Sequence, residues 1–236
     1  MAVPARAATG RSFGAVAILV PAALLAGGVL ILDLVSGGPR ALSLLATFGT
    51  PVLAAAGGVL AGRKRWWLWP PAAAGLWVAA WLAHGLVRDA AGLALVALAC
   101  VAAASAAGRV APAASIRLGL VALAALDVVL VWGTSGVRNA SNALDAVTLP
   151  HAAGSLLPSL QQATFGSALM GWLDLLAPAL LGIVVAGRSK YGAAVATGIA
   201  AGLWGLLFFT TSEVAATVPV LAGLAFATAD ARRRRL

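Results

Sequence analysis

Apolar stretches about 17–25 residues long, separated by short basic loops, decide what this chain can become. Eight are present, over 13–35, 41–62, 66–87, 91–107, 115–133, 168–187, 191–210 and 213–230. In lipid, backbone groups have no water to bond, so such stretches close their own hydrogen bonds as helices. Pro and Gly inside several of them are tolerated there, because neighbouring helices satisfy the freed groups. Only 10% of residues are charged, against roughly 25% in soluble domains. The pattern predicts an all-α polytopic membrane protein, a bundle of about eight transmembrane helices. The run Phe13 to Val35 follows Arg6 and Arg11 in the manner of a signal peptide. At about twice the usual apolar length, it reads as a retained first helix.

The charges test this count. With eight spans, both termini share a side. That side receives Arg6, Arg11, Arg63, Lys64, Arg65, Arg109, Arg117, Arg188, Lys190 and Arg232 to Arg235. The opposite side receives Arg40, Arg88 and Arg138. Thirteen basic residues against three is a strong positive-inside bias and predicts cytoplasmic termini. The net charge of +9 therefore marks topology rather than nucleic-acid binding. The tail "ADARRRRL" is a topology anchor that also suits anionic headgroups. The long connection 134–167 falls on the outer side, and loops of this length are often functional.

Of seven acidic residues, Asp33, Asp89, Glu213 and Asp230 lie at helix ends or in loops, and Asp145 lies in the outer connection. Asp127 and Asp174 alone stand well inside apolar stretches. An ionised carboxylate at mid-membrane costs roughly 2.5–3.5 kcal/mol on insertion scales. The nearest Lys or Arg in the same or adjoining segment, Arg117 for Asp127 and Arg188 for Asp174, is ten or more residues away and does not offset that cost. Asp127 is expected about six residues from the outer end of the fifth helix, and Asp174 about six from the outer end of the sixth. At about 1.5 Å per residue, both fall roughly 9 Å below one boundary. Two close carboxylates cannot both ionise readily, so they share a proton. An aspartic protease uses that pair: one carboxylate activates water while the protonated partner polarises the scissile carbonyl. Each Asp also suits a packing polar group or a proton or ion path.

The same residues resemble the presenilin and signal peptide peptidase family of intramembrane aspartyl proteases. That family carries Tyr-Asp on one helix, Gly-x-Gly-Asp on the next and Pro-Ala-Leu on the last. Here "LDVVLVWGTSG" resembles the first motif, "GWLDLLAPALLG" the second and "TVPVLAGLA" the third. The resemblance implies that Asp127 and Asp174 are catalytic. It further implies that Gly171, Leu173, Pro219, Val220 and Leu221 bind substrate, with Pro178 matching the proline four residues after the second Asp. It covers about 115–236, which makes 1–114 an N-terminal membrane scaffold and 115–236 the catalytic half. The chain departs from the family at Leu126 for Tyr, Leu173 for Gly and Val220 for Ala. A Gly before the second Asp lets a substrate backbone approach closely, so a Leu there narrows the cleft or changes the substrates taken.

The expected function is an intramembrane aspartyl endopeptidase whose partners are the bilayer and the transmembrane segments it cuts. Two other classes stay open: a proton- or cation-coupled transporter, against which the lack of an internal repeat argues, and a non-catalytic binder of membrane proteins. No cofactor is implied. His84 and His151 have no ligand cluster around them, and there is no Walker-type loop. The lone Cys100 excludes disulfides. Trp66, Trp67 and Trp69 beside Arg63 to Arg65 read as an interfacial anchor. "GAAVATGIAAG" (192–202) reads as a close helix-packing face within the bundle.

Overall fold

A computed structural model describes residues 40–62, 69–84, 86–133, 162–165, 168–188, 190–210, 215 and 217–233. Among these residues the chain forms seven α-helices: α1 (Arg40–Ala61), α2 (Trp69–Leu82), α3 (Leu86–Val110), α4 (Ala113–Val128), α5 (Trp172–Val185), α6 (Lys190–Thr210) and α7 (Thr217–Arg233). A two-stranded antiparallel hairpin, β1 (Gln162–Phe165) with β2 (Ala168–Gly171), leads directly into α5. The expected helix 13–35, Asp145, His151, the Trp66 and Trp67 anchor and most of 134–167 lie outside the described residues.

Seven of the eight apolar stretches thus carry helices, with two changes of extent. The stretch 91–107 is part of the longest helix, α3, of 25 residues. Asp89 in its first turn and Arg109 in its last match the helix dipole at both ends and extend the helix beyond its apolar middle. The stretch 168–187 is divided: its first four residues are strand β2, paired from Gln162 opposite Gly171 to Phe165 opposite Ala168. Gly166-Ser167 between the two strands in sequence is a known hairpin signal. The consequence is positional. Asp174 stands in the first turn of α5, not about six residues into a helix as the apolar run implies.

By length and composition, two helical segments can cross a membrane: Val87–Val110, and Ala113–Gly133, which joins α4 to the π-helical turn after it. Helix α4 starts after Pro112, whose carbonyl accepts the N–H groups of Ser115 and Ile116. It leaves Leu118, Val121, Leu126 and Trp132 exposed along its outer face. Helix α2 packs mainly on α3 and exposes Val78, Trp81 and Leu82, with Trp77 and Trp81 stacked at 5.9 Å.

Helix α5 is the centre of the bundle. It touches α1, α3, α4, α6 and α7, and Leu175, Ala177, Ala179, Leu181 and Val185 are all fully buried. A helix apolar all round belongs inside other protein rather than at a water boundary. Its side chains join two clusters, one with α1 and α3 and one with α1, α4, α6 and α7. The contact with α1 is backbone to backbone. A Cβ on Gly58 would lie 2.2 Å from the Ala179 carbonyl oxygen, and one on Gly182 would lie 2.2 Å from that of Ala55. Small residues permit this approach where helices associate by packing rather than by leaving water. Helices α6 and α7 use the same device: a Cβ on Gly223 would meet the Ala196 carbonyl at 2.4 Å. Gly192, Ala196 and Ala200 are buried at four-residue spacing, so the small-residue face of α6 packs internally.

The α1–α5 crossing gives a stability prediction. Gly182→Val should cost at least about 1–3 kcal/mol, the usual penalty for forcing bulk into a packed contact, because the clashing atom is backbone. Gly119→Ala, on the exposed side of α4 with nothing within 4 Å, should hold or gain about 0.5–1 kcal/mol. Thermal unfolding of the two purified variants in detergent checks both. Equal melting temperatures would overturn the assignment.

Candidate active site

The first turn of a helix leaves N–H groups without intrahelical partners, and in an apolar bundle each needs one. At the start of α7 those groups are accounted for one by one. The Thr217 N–H donates to Asp127 Oδ2 at 3.1 Å. The Val218 N–H donates to the Ala215 carbonyl at 3.1 Å. Pro219 has no N–H to satisfy, and its fixed φ suits a first turn. The Thr217 hydroxyl adds a second bond to the same Asp127 oxygen, at 2.6 Å. Asp127 therefore joins the outgoing end of α4 to the start of α7 across 90 residues of sequence.

Asp174 occupies the third position of α5, and its Oδ2 accepts the N–H of Gly171 at 2.9 Å. That is the return half of a capping box, satisfying the N–H at the junction of strand and helix. Pro178, buried four residues on, cannot donate to the Asp174 carbonyl, so this turn also lacks one backbone bond. Cys100 of α3 is buried alongside and its thiol donates to the Trp172 carbonyl at 3.3 Å.

These elements meet. Helix α5, which carries Asp174, packs against both α4 and α7, the two helices that Asp127 joins. Both acids are partly buried. Directly after Asp127 the helix widens into a π turn, Val129–Gly133, a distortion frequent at functional sites. At its entry the Val129 N–H is shared between the carbonyls of Ala125 and Leu126.

The other residues expected at the site divide into two groups. Gly171 adjoins the carboxylate: an added Cβ would lie 3.6 Å from Asp174 Oδ2, so the bare backbone leaves that side open. Leu173 is partly buried next to it. Pro219 is fully buried in the first turn of α7. Val220 and Leu221 turn instead into the core, Val220 buried and Leu221 partly buried against the same cluster. Val220 lines an apolar cavity of about 30 Å³ with Pro51, Pro178, Leu181, Thr197 and Trp204. Leu126, where the family has Tyr, is 54% exposed on α4. His84 is exposed past the end of α2. No cluster of potential metal ligands occurs among the described residues.

Thr217, Cys100 and Trp172 are site residues that sequence reasoning did not single out. A Thr two residues before a Pro at a helix start is the signal for Thr217, but its partner is remote in sequence. In comparisons with known proteins, no family model, no curated protein and no solved structure matches this chain.

Because each carboxylate also holds a helix start, substitutions should separate by their acceptor oxygen. Asp127→Ala should lower stability by about 1–3 kcal/mol, leaving the Thr217 donors unsatisfied, whereas Asp127→Asn keeps an acceptor and should cost less. Asp174→Ala should cost about 1 kcal/mol more than Asp174→Asn, a typical cap effect. Thermal melts of the four variants measure the order, and an Ala variant as stable as its Asn counterpart would contradict the bonding described.

Proposed function

We propose that this chain is an intramembrane aspartyl endopeptidase of the presenilin and signal peptide peptidase type, cutting transmembrane segments of other membrane proteins. The observation that supports it most is that the helix carrying Asp174 packs against the two helices that Asp127 joins at the Pro219 turn. A pair of carboxylates carried on helices packed against one another is what direct hydrolysis of a peptide bond needs.

In the proposed reaction the ionised carboxylate takes a proton from water as its oxygen bonds to the scissile carbonyl carbon. The protonated carboxyl gives its proton to the carbonyl oxygen, forming a gem-diol. Return of a proton to the amide nitrogen then releases the amine and the new acid. No covalent enzyme intermediate forms. A substrate helix must unwind first, because helical carbonyls are shielded and bonded. The β1–β2 hairpin, one residue from α5, supports holding the unwound strand by backbone pairing.

In this reading the chain crosses a plasma membrane about eight times with both termini cytoplasmic, as thirteen basic residues against three direct. The pair then opens near the outer face, where water enters. The hairpin shortens the helical part of the sixth stretch and brings Asp174 to the helix mouth.

The test is to incubate the purified protein with a panel of single-span substrates and to identify products by mass spectrometry. Wild type should cleave, with a bell-shaped pH dependence of kcat/KM because the singly protonated pair is the working form. Asp127→Asn and Asp174→Asn should each abolish cleavage while keeping the fold. Should Asp174→Asn cleave as fast as wild type, the protease reading fails. Proton-driven uptake in proteoliposomes would instead favour the transporter.

A further inference from the structure

Thr217 does more than close a helix start. Its N–H alone would satisfy the first turn of α7, yet its hydroxyl also bonds Asp127, at 2.6 Å against 3.1 Å for the N–H. Both donors converge on one oxygen, Oδ2. Among the described residues Oδ1 accepts no hydrogen bond. Two donors on one carboxylate oxygen remove the freedom of the carboxyl plane to rotate, so Oδ1 is held in one direction. Thr217 is itself buried, 3% exposed, and a β-branched side chain is stiff about χ1. The clamp is also rigid behind: Pro219, fully buried, locks the same turn two residues on.

We propose that Thr217 is a positioning residue for hydrolysis, its hydroxyl and N–H fixing Asp127 through Oδ2 so that Oδ1 is presented to the reacting water beside Asp174. The inference rests on the protease reading for its catalytic consequence, and on geometry alone for the clamp. It explains why a hydroxyl residue opens this helix: an apolar residue would supply the N–H but leave the carboxylate free to turn. A buried hydroxyl in turn requires a partner, so each group secures the other.

The experiment uses the full chain in lipid nanodiscs, with Thr217→Val removing the hydroxyl and Thr217→Ser keeping it. Thr217→Ala is the second variant if Val crowds the buried turn. Infrared difference spectra identify the Asp127 carboxylate band as the one lost in Asp127→Asn. That band should shift in Thr217→Val and stay in place in Thr217→Ser. With a cleaved substrate, Thr217→Val should lower kcat about tenfold to 100-fold, the cost of misplacing a reacting group, with KM held. Thr217→Ser should recover most of the loss. A wild-type kcat in folded Thr217→Val, or an unmoved band, would overturn the proposal. Undiminished cleavage by Asp127→Asn would instead sink the protease reading, and the infrared band would still decide whether Thr217 clamps Asp127.

Discussion

The bundle depends on one close crossing, between α1 and α5 at Gly58 and Gly182, where a Cβ on either residue would sit 2.2 Å from a facing carbonyl oxygen. That contact seats α5 deep enough to be covered by α1, α3, α4, α6 and α7 together. Its depth has a chemical result. A helix surrounded on every side presents only its ends to the outside, and Asp174 is at such an end. Apolar burial among apolar neighbours gives little driving force in lipid, so the fit of small residues carries the specificity here.

Both carboxylates serve backbone. Asp127 receives the start of α7, and Asp174 receives the junction of β2 with α5. This accounts for two acids in an apolar setting with no Lys or Arg within nine residues of either in sequence: oriented N–H groups at helix starts favour negative charge. A structural role and a catalytic one are compatible, because in each case the bonded oxygen is Oδ2. The same bonds that hold the helices fix the carboxyl orientation, and hydrolysis between two acids requires fixed orientation.

Much of the architecture is legible in residue order. Long apolar runs such as 115–133 read as helices because lipid leaves the backbone few alternatives, and the run at 191–210 holds nearly unchanged as α6. The packing of the Asp174 helix against the Asp127 helix accords with their placement as consecutive antiparallel runs. The hairpin has only the dipeptide Gly166-Ser167 as a signal and is otherwise hidden, because Ala168–Gly171 is apolar and merges with the helix that follows. Hydropathy does not distinguish an apolar strand from an apolar helix when both are buried. Nor does the motif "TVPVL" show that Val220 turns into the core while Thr217 meets the carboxylate.

By itself, the sequence determined that the chain is helical and apolar, and which acids are out of place. Those are local properties, set by side-chain polarity and backbone chemistry within a few residues. Only the tertiary structure decided that Asp174 opens a helix rather than lying within one, and that Thr217 is the residue Asp127 holds. The first outcome rests on the strand that ends at Gly171, whose N–H caps back onto Asp174 three residues on; the second rests on donors brought from 90 residues away. A buried N–H donates to whatever oxygen the packing brings within reach, and packing here is set by glycines on other helices.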